Sequence, residues 1–180
     1  MISKDSRNGE GKMMDNQNDG AQYLTFILDS KLFAFDVLKT REVLSLIPIT
    51  PIPGTPDYMT GVLNLRGSVV PVIDLRKKFG INESAFTENT SIIIVEANNG
   101  NEVVVVGALV DAVKGVRRFE QNQLEPPPKV GMELNLDLIQ AIGKTEKDFV
   151  LILNVDKVLS EEDISLAKDL LEIPSEEVGA

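Results

Sequence analysis

Gly61-Val62-Leu63-Asn64-Leu65-Arg66-Gly67-Ser68-Val69-Val70-Pro71-Val72-Ile73-Asp74-Leu75-Arg76 reads as two strands joined by a tight turn. Val62 to Leu65 and Ser68 to Ile73 are apolar and rich in β-branched residues, and Arg66-Gly67 has the length of a hairpin loop. Gly67 lets the chain reverse, and Arg66 projects a planar fork of donors from the tip. Pro71 donates no ladder hydrogen bond, which predicts a sheet edge or a bulge there. Asp74 can cap a turn over Leu75 to Phe79, ended by Gly80. An Arg at a turn is most often only solvated. Here it lies beside a basic cluster, in which Arg66, Arg76, Lys77 and Lys78 face one acid, Asp74, and beside a proline-rich edge; together they favour a docking surface.

On the N-terminal side, Tyr23 to Leu28 has Leu24, Phe26 and Leu28 on one face, Asp29-Ser30-Lys31 makes a turn, and Leu32 to Phe35 returns as a hairpin. Val37 to Leu46 fits a helical turn followed by a strand. Pro48 to Pro56 is an extended connector, and Thr55, Pro56 and Asp57 predict a short helix that must stop before Gly61. On the C-terminal side, Ser91 to Ala97 and Glu102 to Val110 flank a turn at Asn98 to Asn101, and Ala112 to Phe119 is a further strand. Gln121 to Val130, with Pro126, Pro127 and Pro128, is a connector. Leu136 to Ile142 and Phe149 to Leu153 are the last strands. Ser160 and Asp163 make a capping box for a helix with Ile164, Ala167, Leu170 and Leu171 on one face and Leu166 beside them.

The two halves resemble each other. Asp36-Val37-Leu38-Lys39 returns as Asp111-Ala112-Val113-Lys114, and the prolines at 51 and 53 return at 126 and 128, both 75 positions on. Val72 to Lys77 returns loosely as Ile152 to Lys157. The chain is therefore expected to be all-β with short helices, forming two small packed barrels and a C-terminal helix. The expected division is a disordered polar tail at 1–20, barrels at 21–82 and 83–160, and an amphipathic helix and tail at 161–180. Each barrel is too small to be comfortable alone, so the pair should share an apolar seam.

Composition narrows the chemistry. The 180 residues include no Cys and no His, which removes disulfides, thiol chemistry, the usual acid/base residue near neutral pH and the commonest metal ligands. No cofactor or metal is expected, and an enzyme would have to rely on carboxylates, Lys, Tyr, Ser or Thr. The net charge of −10 argues against binding nucleic acid through its phosphates. The acid is concentrated in Asp156 to Glu177, which holds eight acidic and two basic residues. Met1 to Gly20 lacks the apolar core of a signal peptide, and the longest uncharged apolar run, Val103 to Val110, is far below the roughly 20 residues of a membrane helix, so a cytoplasmic protein without direct membrane insertion is expected. Gly143-Lys144-Thr145 lacks the glycine of a phosphate loop at Leu138, and Asp15 to Phe26 lacks the closing Glu of a calcium loop. Asn82-Glu83-Ser84 and Asn89-Thr90-Ser91 match a glycosylation pattern that matters only in a secreted protein.

Asn64-Leu65-Arg66-Gly67 followed by Val70 to Arg76 resembles the signature of CheW, the family of bacterial chemotaxis coupling proteins. The likeness extends to Phe35-Asp36-Val37 with Glu42-Val43, to Ile49-Thr50-Pro51-Ile52-Pro53, and to Val106-Gly107 with Leu109-Val110-Asp111, and it spans Tyr23 to Leu159. It implies two five-stranded SH3-like barrels side by side. It also implies a non-catalytic adaptor that binds the cytoplasmic tips of methyl-accepting receptors and the regulatory domain of the histidine kinase CheA, barrel to barrel, within receptor arrays. Carried over by position, a groove for the receptor's helical hairpin falls on Leu24, Val37, Thr40, Val43 and Val113, with Glu42 and Arg66 nearby; Thr40 departs from the apolar residue often found there. Ile47, Ile49, Ile52, Gly61 and Leu65 are the expected kinase surface. The alternatives are a coupling protein of a related system serving pili, gliding or gene regulation, the coupling half of a larger receiver-bearing protein (against which no Asp-rich receiver sequence follows Leu159), and a small-molecule binder or carboxylate-dependent enzyme at the seam.

Overall fold

Runs such as Ile92-Ile93-Ile94-Val95 have no polar face to turn to water, and they form strands buried on both sides. The computed structural model describes residues 20–81, 85–127, 136–174, 176 and 178, so the expected tail, the calcium-loop match before Gly20 and the connector beyond Pro127 lie outside the described residues. The strands are β1 (Gly20–Leu28), β2 (Lys31–Asp36), β3 (Thr40–Ser45), β4 (Met59–Leu65), β5 (Ser68–Asp74), β6 (Ser91–Asn99), β7 (Glu102–Val110), β8 (Ala112–Glu120), β9 (Leu124–Glu125), β10 (Ile139–Lys144) and β11 (Phe149–Leu153). The helices are α1 (Leu75–Lys78), α2 (Val155–Val158) and α3 (Glu161–Leu171), and a 3₁₀ turn, Val37–Lys39, separates β2 from β3.

The strands form two curled sheets, ordered β8-β1-β2-β11-β10-β9 and β3-β6-β7-β5-β4. Neighbours are antiparallel except β2 with β11 and β5 with β7, which are parallel. Phe119 on β8 packs so closely on Gly143 of β10 that a Cβ there would lie 2.8 Å from its ring, which brings the two sides of the first sheet together. Leu44 of β3 and Leu63 of β4 meet in one interior cluster and do the same for the second. The result is two SH3-like barrels.

The expected split into contiguous barrels at 21–82 and 83–160 is not how these strands pair. β1 and β2 join β8, β10 and β11, while β6 and β7 join β3, β4 and β5. Apart from the two-residue β9, the two orders are the same, with each half of the chain donating its opening hairpin to the barrel that the other half completes. The repeat falls at matching places in this interleaved pair. Asp36 and Asp111 stand where the chain crosses from one barrel to the other, and Asp74 and Asn154 cap α1 and α2 by accepting the Arg76 N–H at 3.0 Å and the Asp156 N–H at 3.1 Å.

Alternation along each strand sorts side chains between barrel interior and seam. On β6, Ile92 and Ile94 fill the second barrel while Ile93, Val95 and Ala97 face the seam. On β11, Val150 and Ile152 fill the first barrel and Leu153 the seam. Leu24, Phe26 and Leu28, expected on one face of β1, lie together in the seam, which also takes Ile164, Ala167 and Leu170 of α3.

Three local expectations change. No helix follows Thr55: its hydroxyl donates to the Ile52 carbonyl at 2.9 Å, and the Met59 N–H closes a turn on the Pro56 carbonyl at 3.0 Å before β4 begins. Pro71 lies inside the sheet, paired with Val62, at a point where the parallel ladder to β7 has not yet begun at Val72, so no ladder bond needs its missing N–H. The basic cluster, expected to favour a docking surface, is turned inward at two of its members: Arg76 is 1% exposed and Lys78 reaches the buried Asp163.

Asp163 ties α3 to the second barrel. Its carboxylate receives the Ser160 N–H at 2.9 Å, the Lys78 ammonium and the Tyr58 hydroxyl. Burial pushes the Asp163 pKa up, but these donors and the Lys78 charge outweigh it and hold the carboxyl below its ordinary 3.8. A folded-state value below the unfolded one means that the stabilisation is complete above the unfolded pKa and is lost as pH falls through the folded one. Asp163→Asn is expected to lower stability by about 2 kcal/mol at pH 7. In urea unfolding, the gap from wild type should persist at pH 5 and close as the pH drops below 3.8.

Candidate interaction surfaces

The Arg66 hairpin is built as its sequence requires. Arg66 and Gly67 have φ of +50° and +87°, and the Asn64 side-chain oxygen accepts the Gly67 N–H at 2.8 Å. The turn aims Arg66 at Glu42 on β3, and the two form an ion pair in which the Arg66 side chain stays 71% exposed. The hydrogen bond and charge of Glu42 raise the Arg66 pKa. Arg41 on the same strand pairs with Glu96. Between these ion pairs lies an open depression of ≈ 470 Å³, walled by Leu65, Val69, Val103, Val105 and Leu171. It joins Glu42 and Arg66, expected on the receptor side, with Leu65, expected on the kinase side.

Other groove residues lie elsewhere. Leu24, 7% exposed, is part of the closed seam. Val37 and Val113 are half-buried and pack on that seam from its rim, Val37 in the turn of one crossover and Val113 at the start of β8, just past the other. Thr40 is half-buried, and its hydroxyl donates to the Val37 carbonyl at 2.9 Å, helping to shape the turn. Val43 is exposed on β3. The seam thus carries no open furrow at Leu24; its accessible part is the rim.

The expected kinase residues divide in the same way. Ile47, Ile49 and Leu65 are half-buried against the interior of the second barrel, and Ile52 against the seam. Gly61 is buried, with φ of +148°, and a Cβ there would come within 2.1 Å of the Thr50 carbonyl oxygen. The close approach permits two hydrogen bonds between Thr50 and Val62, of 2.8 and 2.9 Å, which fasten the connector to β4.

Sequence reading missed Leu38, at 88% the most exposed large apolar side chain among the described residues. Its signal was present: under the 75-residue repeat it is the counterpart of Val113. It projects from the 3₁₀ turn that Asp36 caps by accepting the Leu38 N–H at 2.9 Å. The buried Asp163–Lys78–Tyr58 group was also missed, since nothing local links positions so far apart. Burial, then the hydrogen bond to Asp163 and the negative charges of Asp163, Glu162 and Asp57, push the Tyr58 pKa up to about 12. Among the described residues, no set of three or more acidic side chains is placed to hold a metal ion. No helix among them is long and apolar enough to cross a membrane.

Two interleaved SH3-like barrels with apolar and ion-paired side chains held outward on tight turns define a protein-docking scaffold. The chain belongs to the CheW-like domain family, whose model matches residues 22–163. It is 33% identical over 151 residues to the chemotaxis protein CheW of Klebsiella aerogenes, covering 84% of this chain and 89% of that one. It is 34% identical over 143 residues to CheW of Thermotoga maritima, covering 78% and 88%. The crystal structure of the scaffolding protein TtCheW from Thermoanaerobacter tengcongensis matches with a TM-score of 0.71 at 33% identity, over 79% of this chain and 90% of that one.

Because Gly61 sits beneath Thr50, Gly61→Ala should break the Thr50–Val62 pair and cost about 3 kcal/mol in urea unfolding. Any loss of partner binding in this variant should then be accompanied by a lower unfolding midpoint.

Proposed function

We propose that this protein is a non-catalytic chemotaxis adaptor that couples the cytoplasmic tips of methyl-accepting receptors to the regulatory domain of the histidine kinase CheA, working in the cytoplasm at receptor arrays. The observation that carries this reading is the pair of crossovers. Each leaves one barrel for the other beside apolar side chains at the rim of the seam: Val37 and Leu38 in the turn of one, and Val113 at the start of β8, just past the other. An amphipathic helix recognises such a surface by setting its apolar face on a few anchors. Val37, Val113, Thr40 and Val43 form the receptor side, with the Glu42–Arg66 pair at its border and Leu24 supporting it from within. The Ile47, Ile49 and Ile52 connector, held by Gly61 and flanked by Leu65, faces the kinase.

The mechanism is differential binding. A receptor tip that changes conformation gains or loses contact free energy at the rim, and the adaptor passes that difference to whatever its second barrel holds. Membership in a family whose solved relative is a scaffold supports this reading, as does a seam cluster made of apolar side chains in place of converging acids.

Val37→Asp and Val113→Asp should each lower co-sedimentation with receptor-bearing membranes by at least about tenfold, with the urea midpoint near that of wild type, because a few half-exposed anchors carry most of such an interface. Wild-type co-sedimentation by both variants would show that the rim is not the receptor site. A thermal-shift screen against nucleotides and metabolites should be silent; a large specific shift would favour a small-molecule binder.

A further inference from the structure

The loop Pro51 to Asp57 stands between two fastenings. At one end is the Thr50–Val62 pair. At the other is Tyr58, whose carbonyl accepts the Asp74 N–H at 2.8 Å and whose hydroxyl donates to Asp163 on α3, across 105 positions of sequence. The Lys78 ammonium lies 4.4 Å from the centre of the Tyr58 ring and also pairs with Asp163, whose side chain is 1% exposed. Inside the loop, Thr55 bonds the Ile52 carbonyl and Met59 the Pro56 carbonyl, while Pro51, Pro53 and Pro56 limit the backbone. Ile52, at the centre of the expected kinase surface, therefore sits in a loop ordered before any partner arrives.

We infer that α3 is part of the kinase-binding apparatus without touching the kinase: Asp163, acting through Tyr58, is a positioning residue for the loop Pro51 to Asp57. This rests on the reading that the connector faces the kinase. A loop released at its Tyr58 end keeps its contact residues but must be ordered on binding, and affinity falls by that entropy. None of the hydrogen bonds of this fastening reaches Val37 or Val113, so the receptor rim keeps its affinity.

The test uses the full chain and the isolated regulatory domain of the kinase from the same organism, with receptor-bearing membranes as the second partner. Tyr58→Phe keeps the ring over Lys78 and leaves Asp163 with Lys78 and Ser160, so α3 stays docked. It should lower kinase-domain affinity about tenfold, as should Asp163→Asn. The double variant should be no weaker than the weaker single, because both cut one link. Receptor co-sedimentation should match wild type throughout. Wild-type kinase affinity in both singles, beside lost binding in Ile49→Asp, would overturn the positioning role and leave the connector reading standing. Unchanged kinase binding by Ile49→Asp would overturn the connector reading, and this inference with it. Losses that add in the double variant, or receptor binding that falls in step, would mark a general loss of stability and also overturn it.

Discussion

A guanidinium that is 1% exposed is tolerable only when its donors are met, and Arg76 is met on both sides. Its Nε and Nη2 bond Asp74 at 3.0 and 2.9 Å, its Nη1 bonds Asp111 at 3.0 Å, and the Phe86 ring lies 5.3 Å from its Cζ. Asp111 is the crossover residue from β7 to β8, and its other oxygen accepts the Asp29 N–H of the β1–β2 turn at 2.8 Å. One side chain thus joins the helix of the second barrel to a crossover and to the hairpin of the first. The repeat places a counterpart at the other crossover with its polarity reversed. Asp156 stands where Arg76 does, pairs with Lys39 at 3.3 Å, and accepts the Asn98 N–H near the end of β6 at 2.7 Å. The two fastenings are unequal. Breaking a buried pair costs about 3–5 kcal/mol. The Lys39 and Asp156 side chains are 30% and 34% exposed, and a solvated pair of that kind is worth about 0–1 kcal/mol. The crossover that leads into β8 and Val113 is therefore held firmly, while the one that carries Val37 and Leu38 is held lightly and in a salt-dependent way.

That inequality matters because little else in the molecule can yield. Strands buried on both faces leave no plane along which one barrel can slide on the other: each of β1, β2, β5, β6, β7 and β11 contributes to a barrel interior and to the seam in alternate residues. A close-packed interface of this kind transmits displacement without absorbing it. An adaptor of the kind proposed above would need this combination, a stiff body with its compliance confined to one turn.

Much of this was legible locally. The hairpins at Asp29-Ser30 and Arg66-Gly67, the strand Glu102 to Val110 and the Ser160–Asp163 capping box depend on neighbours in sequence, and the structure has them where expected. The SH3-like fold followed from the same patterns together with the CheW signature. What was not legible is what joins distant residues. Local alternation says that β1 is a strand but not that its partner is β8, so the halves looked like separate barrels. Arg76 and Lys78 looked like part of a docking surface because their carboxylates, Asp111 and Asp163, lie 35 and 85 positions away. Of the residues expected at the groove by position, Val37 and Val113 are half-buried beside the seam, whereas Leu24, equally apolar, is core. An apolar residue on a strand carries no mark of which side will stay open.

The exchange of hairpins also bears on why the protein works as one unit. Thr25 on β1 donates to the Gly115 carbonyl of β8 across 90 positions, so the first barrel is incomplete until most of the chain exists. Such long-range pairing slows folding, and neither half can bury its opening hairpin alone. In return, among the described residues the barrels are joined by two crossovers and a continuous seam in place of a linker. Two barrels tethered by a flexible segment would hold two partners at a distance but at no fixed angle. Interleaved barrels hold both in one frame, so a partner that presses on the rim of the seam acts on the same rigid body that carries the connector face.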